Sequence, residues 1–86
     1  MAGAKSRDHA SLGAALRELR LSRELTLEAL GDSMDEPMNP RYISAVERGE
    51  VNISFANLLR LCAALGVRLS EVVERYEVGL KRKRRG

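Results

Sequence analysis

A helix that opens at Asn39-Pro40 and is stopped by Gly49 limits more than any other feature what this chain can fold into. In "NPRYISAVERG", Asn39 reads as an N-cap, and Pro40 falls at the first helical position, where a missing N–H has no helical partner to lose. Gly49 supplies the left-handed residue that ends a helix. Met38 before the cap and Ile43 inside it have the spacing of a hydrophobic staple. A helix of about nine residues does not persist alone in water, so neighbours must hold it. Ile43 and Val46 give those neighbours one apolar face, while Arg41, Ser44 and Ala45 fall on the other.

The flanking sequence predicts more helices. Leu12, Leu16 and Leu19 recur at helical spacing, with Ser11 as the expected N-cap and residues 1–10 as a flexible polar arm. Thr26 is the expected cap of "LEALGDSM", whose Leu27, Leu30 and Met34 share a face with Gly31. Glycine costs a helix interior roughly 1 kcal/mol against alanine, so Gly31 predicts another helix crossing very close. "DEPMNP" breaks the pattern. Ser54 is expected to cap "FANLLRLCAALG", with Phe55, Leu58, Leu59, Cys62 and Leu65 as its apolar face and Gly66 at its end. Ser70 is the expected cap of "EVVERYEV", where Val72, Val73 and Tyr76 form a stripe. No convincing period-2 strand pattern appears. The expectation is an all-α, compact five-helix domain over residues 11–78, followed by a basic tail at 79–86.

Charge sharpens this picture. The net charge of +3 hides an uneven distribution, because "KRKRR" at 81–85 holds five of the fifteen basic residues. The first 80 residues carry ten basic and twelve acidic side chains, so any basic surface on the body is local. At 44% apolar and 31% charged the composition is that of a folded soluble protein. No run is apolar enough to cross a membrane, and neither a secretory leader nor a cysteine pair is present, so a cytoplasmic protein is expected. Cys62 reads as inert core. With one histidine, His9, and no ligand spacing, no metal site is expected. No nucleophile–base pair and no phosphate-binding glycine loop is present, so neither an enzyme nor a cofactor or small-molecule ligand is expected.

Two helices joined by a short turn, the second short and capped, describe a helix-turn-helix. In that arrangement the second helix enters the major groove of double-stranded DNA and its N-terminal residues meet base edges. Arg41 can offer guanine two hydrogen bonds. Tyr42, Ser44 and Ala45 follow it. Asn39, Arg48 and Asn52 flank the helix where phosphates would pass.

"TLEALG" (26–31), "YISAVERGEVN" (42–52), "SFANLLRLCAALGV" (54–67) and "SEVV" (70–73) resemble phage-repressor-type, Xre-like helix-turn-helix proteins, and the likeness spans roughly residues 12 to 76. Their "ERGEVNIS" connector (47–54) is similar to that of restriction–modification controller proteins in particular. The resemblance implies a lambda-repressor-like fold and a structural ion pair between Arg20 and Glu47. A glutamate near a helix C-terminus opposes the helix dipole and needs such a cation. The chain departs from the family pattern at Leu27, where a phosphate-binding Gln is common, and at Asp35, where the turn usually has Gly. Pro40 stands at a position that often reads bases, and the turn is about two residues longer than the tight form.

A short reading helix covers few base pairs, so a homodimer reading a near-palindromic operator is expected. Its interface is expected around Val67, Leu69, Val72, Val73 and Tyr76. Lys81, Arg82, Lys83, Arg84 and Arg85 are expected to touch phosphates. The rival expectation is an antitoxin-like or adaptor module that binds protein, with DNA binding secondary or lost. It draws on the acidic body and on Glu28, Asp32, Asp35 and Glu36 around the turn.

Overall fold

A computed structural model of the chain describes the backbone of residues 7–85 and the side chains of residues 7–82. Among the described residues there are five helices and no strand: α1 (Arg7–Ser22), α2 (Leu27–Asp32), α3 (Pro40–Glu47), α4 (Phe55–Leu65) and α5 (Leu69–Arg85). α1 packs along α5 and across α3, α2 packs on α3, and α4 meets α5. The shared core is built from Leu16, Leu19, Leu30, Met38, Ile43, Val46, Leu61, Cys62, Leu65, Val67 and Val72, drawn from all five helices and their connectors. Each large aliphatic side chain buried there contributes about 1.5–3 kcal/mol. Burial pushes the Cys62 thiol above its ordinary pKa, so it stays neutral.

Three of the expected caps are in place. Thr26 Oγ1 accepts from the Ala29 N–H at 3.0 Å, Asn39 Oδ1 from Arg41 at 2.8 Å, and Ser54 Oγ from Asn57 at 3.1 Å. Gly49 and Gly66 take the left-handed conformation at φ 74° and 73°.

Both ends of the domain differ from expectation. α1 begins at Arg7, so residues 7–10 are helical, while residues 1–6 of the expected arm lie outside the described residues. Two contacts hold this first stretch. The Tyr76 hydroxyl donates to Asp8 Oδ1 at 2.8 Å, and Gly49, lacking a Cβ, lets its backbone close on Ala10. Ser11 is therefore not a cap. It is buried inside α1 against α5, facing Gly79. Nor does Ser70 cap α5, which starts one residue earlier. The Arg68 N–H donates to Glu71 Oε1 at 3.0 Å, the reciprocal half of a capping box. At its other end α5 runs on to Arg85, so "KRKRR" continues a helix instead of forming a separate tail. Cations in the last turns of a helix complement its dipole.

Gly31 has the close neighbour its sequence position predicts, but that neighbour is not a helix. A Cβ at Gly31 would lie 2.2 Å from the Met38 carbonyl oxygen. The α2–α3 connector, residues 33–39, folds back over α2, and the Met38 N–H donates to the Gly31 carbonyl at 3.1 Å. Met38 is thereby buried as a plug beneath the connector. The α4 face is also narrower than its leucines suggest. Phe55 and Leu59 point to solvent, and Leu61, Cys62 and Leu65 carry the packing.

Candidate nucleic-acid interface

α3 is held from behind by three devices. Ile43 and Val46 are buried in the core. At Gly13 the backbone of α1 comes so close that a Cβ would lie 2.3 Å from the Val46 carbonyl oxygen and 2.5 Å from that of Glu47. The third device is the Arg20–Glu47 ion pair. Arg20 Nε and Nη2 donate to the two Glu47 oxygens at 2.7 and 2.9 Å, and Nη1 donates to the Leu25 carbonyl at 2.8 Å. Both side chains are buried, and the exposed Arg17 lies only at the 4.0 Å margin of Glu47. The hydrogen bond to Glu47 raises the Arg20 guanidinium above its ordinary pKa despite the opposing cost of burial. One arginine thus ties α1, the loop after it and the end of α3.

The opposite face of α3 bears Arg41, Ser44, Ala45 and Arg48, at i, i+3, i+4 and i+7, one continuous stripe. Arg41 is exposed, and among the described residues no hydrogen bond or ion pair engages its guanidinium. Ser44 and Ala45 are half-buried. Arg48 is exposed but engaged. Its Nε and Nη2 donate to Glu50 Oε2 and Oε1 at 3.0 and 2.9 Å, and Nη1 donates to Ser44 Oγ. The Glu50 hydrogen bonds raise its pKa. Asn39 and Asn52 are exposed near the two ends of the helix, with the Asn39 oxygen committed to its cap.

Tyr42 turns inward. It is half-buried against the core, and its hydroxyl accepts from Asn57 Nδ2 at 3.2 Å. Asn57 Oδ1 in turn accepts from Arg60 Nη1 at 3.1 Å, and Arg60 Nη2 donates to the Glu36 carbonyl. This chain of polar groups fastens the long connector to α4 and α3. Sequence reasoning missed Asn57, Arg60, Gly13 and Glu50. Only Gly13 left a readable signal, since it shares a helical stripe with Leu16 and Arg20, where glycine is otherwise costly.

The expected dimer surface also changes. Val72 is fully buried and Val67 nearly so, both in the chain's own core, so neither offers surface to a second copy. Tyr76 is half-buried and bound to Asp8. Val73 is exposed, and Phe55 and Leu59 are exposed apolar residues outside the expected set. On the basic run, Lys81 and Arg82 are exposed, while the side chains of Lys83, Arg84 and Arg85 lie outside the described residues.

A short capped helix, locked from behind and polar in front, preceded by a second helix and a turn, defines a helix-turn-helix protein. The chain belongs to the Xre-like helix-turn-helix family of DNA-binding regulators, whose model, described as "Helix-turn-helix", matches residues 16–72. It is 33% identical over 66 residues to the control protein C.MunI from Mycoplasma sp, covering 76% of this chain and 86% of that one. Its fold is similar to that of the restriction–modification controller protein C.AhdI from Aeromonas hydrophila, with a TM-score of 0.72 and 34% identity over 78% of this chain and 98% of the other. It is also similar to the clp gene regulator ClgR from Corynebacterium glutamicum, with a TM-score of 0.82 and 29% identity over 93% and 83% of the two chains. No helix among the described residues is long and apolar enough to cross a membrane.

Proposed function

We propose that the chain is a cytoplasmic transcription regulator that binds double-stranded DNA as a homodimer, placing α3 of each copy in the major groove at one half of a near-palindromic operator. The observation that carries this reading is the stripe of Arg41, Ser44, Ala45 and Arg48 on a helix whose other face is locked to the core. Arg41, exposed in the first turn, is the principal base reader, suited to guanine O6 and N7. Asn39 and Asn52 flank the helix as phosphate contacts, and Lys81 to Arg85 add charge at the end of α5. Tyr42 acts from behind, steadying the helix through Asn57. The exposed Val73, with the half-buried Leu69 and Tyr76 on the same helix, is the surface offered to a second copy.

The test is selection from a random duplex DNA pool with the intact chain and a version ending at Leu80. Both are expected to enrich the same two-fold motif, with half-site centres roughly 34 Å apart. Arg41→Ala is expected to relax one position in each half-site by about 1–3 kcal/mol of discrimination. If only the intact chain binds, and without a motif, the basic end is a general grip and the regulator reading fails. If neither version enriches anything at low salt, a protein-binding module replaces it.

A further inference from the structure

The end of α3 carries a carboxylate where a phosphate-facing surface would ordinarily lack one. Glu50 receives two parallel hydrogen bonds from Arg48, whose third occupied donor goes to Ser44 Oγ. A guanidinium has five N–H donors, so one remains on each terminal nitrogen. Such a pair of donors is what meets guanine O6 and N7. We infer that Glu50 is a specificity-determining positioning residue: it clamps Arg48 against Ser44 so that this arginine reads one guanine in each half-site instead of gripping phosphate. The inference rests on the DNA-reading function proposed above.

Two physical effects separate a clamped arginine from a free one. A free side chain on a helix end follows whichever phosphate is nearest, which raises affinity for every sequence alike. A clamped one has less freedom to lose on docking. Its charge is also offset by the carboxylate beside it, which weakens the attraction common to all DNA. Spacing adds a further constraint. Arg48 follows Arg41 by seven residues, roughly 10 Å along the helix at 1.5 Å per residue. That separation along a helix lying in the groove places the two arginines over different base pairs.

The experiment is the same duplex selection run on the unaltered chain, Arg48→Ala, Glu50→Gln and Glu50→Ala, followed by salt titration on the enriched site and on an unrelated duplex. Glu50 is exposed, so the variants are expected to melt with the parent by circular dichroism. Glu50→Ala is expected to flatten the same base-pair position as Arg48→Ala, distinct from the one that Arg41→Ala relaxes, with a loss of preference there of roughly tenfold or more. Its binding to the unrelated duplex is expected to tighten, and its salt dependence to steepen by about one phosphate's worth of counterion release. Glu50→Gln should fall between. A Glu50→Ala motif identical to the parent's, with affinity changed equally for all sequences, overturns the inference while leaving the DNA reading intact. So does an Arg48→Ala motif that keeps every position. Failure of the unaltered chain to enrich any motif removes both.

Discussion

Arg20 and Glu47 meet in a buried bidentate pair, with the third arm of Arg20 on the Leu25 carbonyl. Removing one partner would strand the other charge away from water. Arg20→Ala is therefore expected to cost about 3–5 kcal/mol, a large share of a small domain's stability, measured as a fall in the urea midpoint. Replacing both, as Arg20→Met with Glu47→Gln, should cost less than the sum of the singles, because no charge is left uncompensated. The raised pKa of Arg20 fixes the sign of any pH effect. Its contribution is fully present below the ordinary guanidinium value and is lost only on passing above the raised one, so this group adds no slope near neutral pH. The pairing with Arg20 was legible through the family resemblance, while the helix dipole by itself asks only that some cation lie near a glutamate at a helix C-terminus. Glu50 left no such signal. Arg48 and Glu50 are two apart on the edge of a turn, where sequence alone does not say that the chain bends them together.

Among the elements, three of the five expected caps were legible, whereas those at Ser11 and Ser70 and the extents of α1 and α5 were not. Thr26, Asn39 and Ser54 act locally, on N–H groups two or three residues away, so spacing suffices to find them. The starts and ends of α1 and α5 depend on each other. Asp8 meets Tyr76, and Ser11 meets Gly79, contacts between residues nearly seventy apart. The same contrast governs what glycines do. Gly31→Ala would gain roughly 1 kcal/mol of helix propensity. It would also place a Cβ 2.2 Å from the Met38 carbonyl and break the Met38 N–H bond to Gly31. The clash wins, with an expected net loss of about 1–3 kcal/mol. Gly79→Ala meets nothing nearer than 3.8 Å, so its propensity gain is expected to survive as stabilisation. Thermal melts of the two variants should therefore move in opposite directions from the parent.

At the scale of the whole molecule, the charge is segregated: an acidic body carries a helix that ends in a run of cations. The five-helix class was legible because period and punctuation are properties of the chain itself. Interface residues were not, since an apolar stripe on α5 reads alike whether it faces the chain's own core or a partner. Val72 went to the core and Val73 to the surface. If the exposed Val73 belongs to a contact between copies, the melting temperature rises with protein concentration. Val73→Lys should abolish that dependence while leaving the monomer folded, and weaken binding to a two-fold site more than to a single half-site. A melt independent of concentration in the unaltered chain would rule out the dimer.

The close approach at Gly13 leaves α3 with a division of labour along its length. Everything that keeps the helix in place lies behind it, in Gly13, Arg20, Ile43, Val46 and Glu47. Arg41, Ser44 and Ala45, in front, bear little of that weight. On the proposed DNA reading, a lineage descending from this chain can change its address without renegotiating its fold, whereas the fold itself has almost no freedom to drift beneath that face.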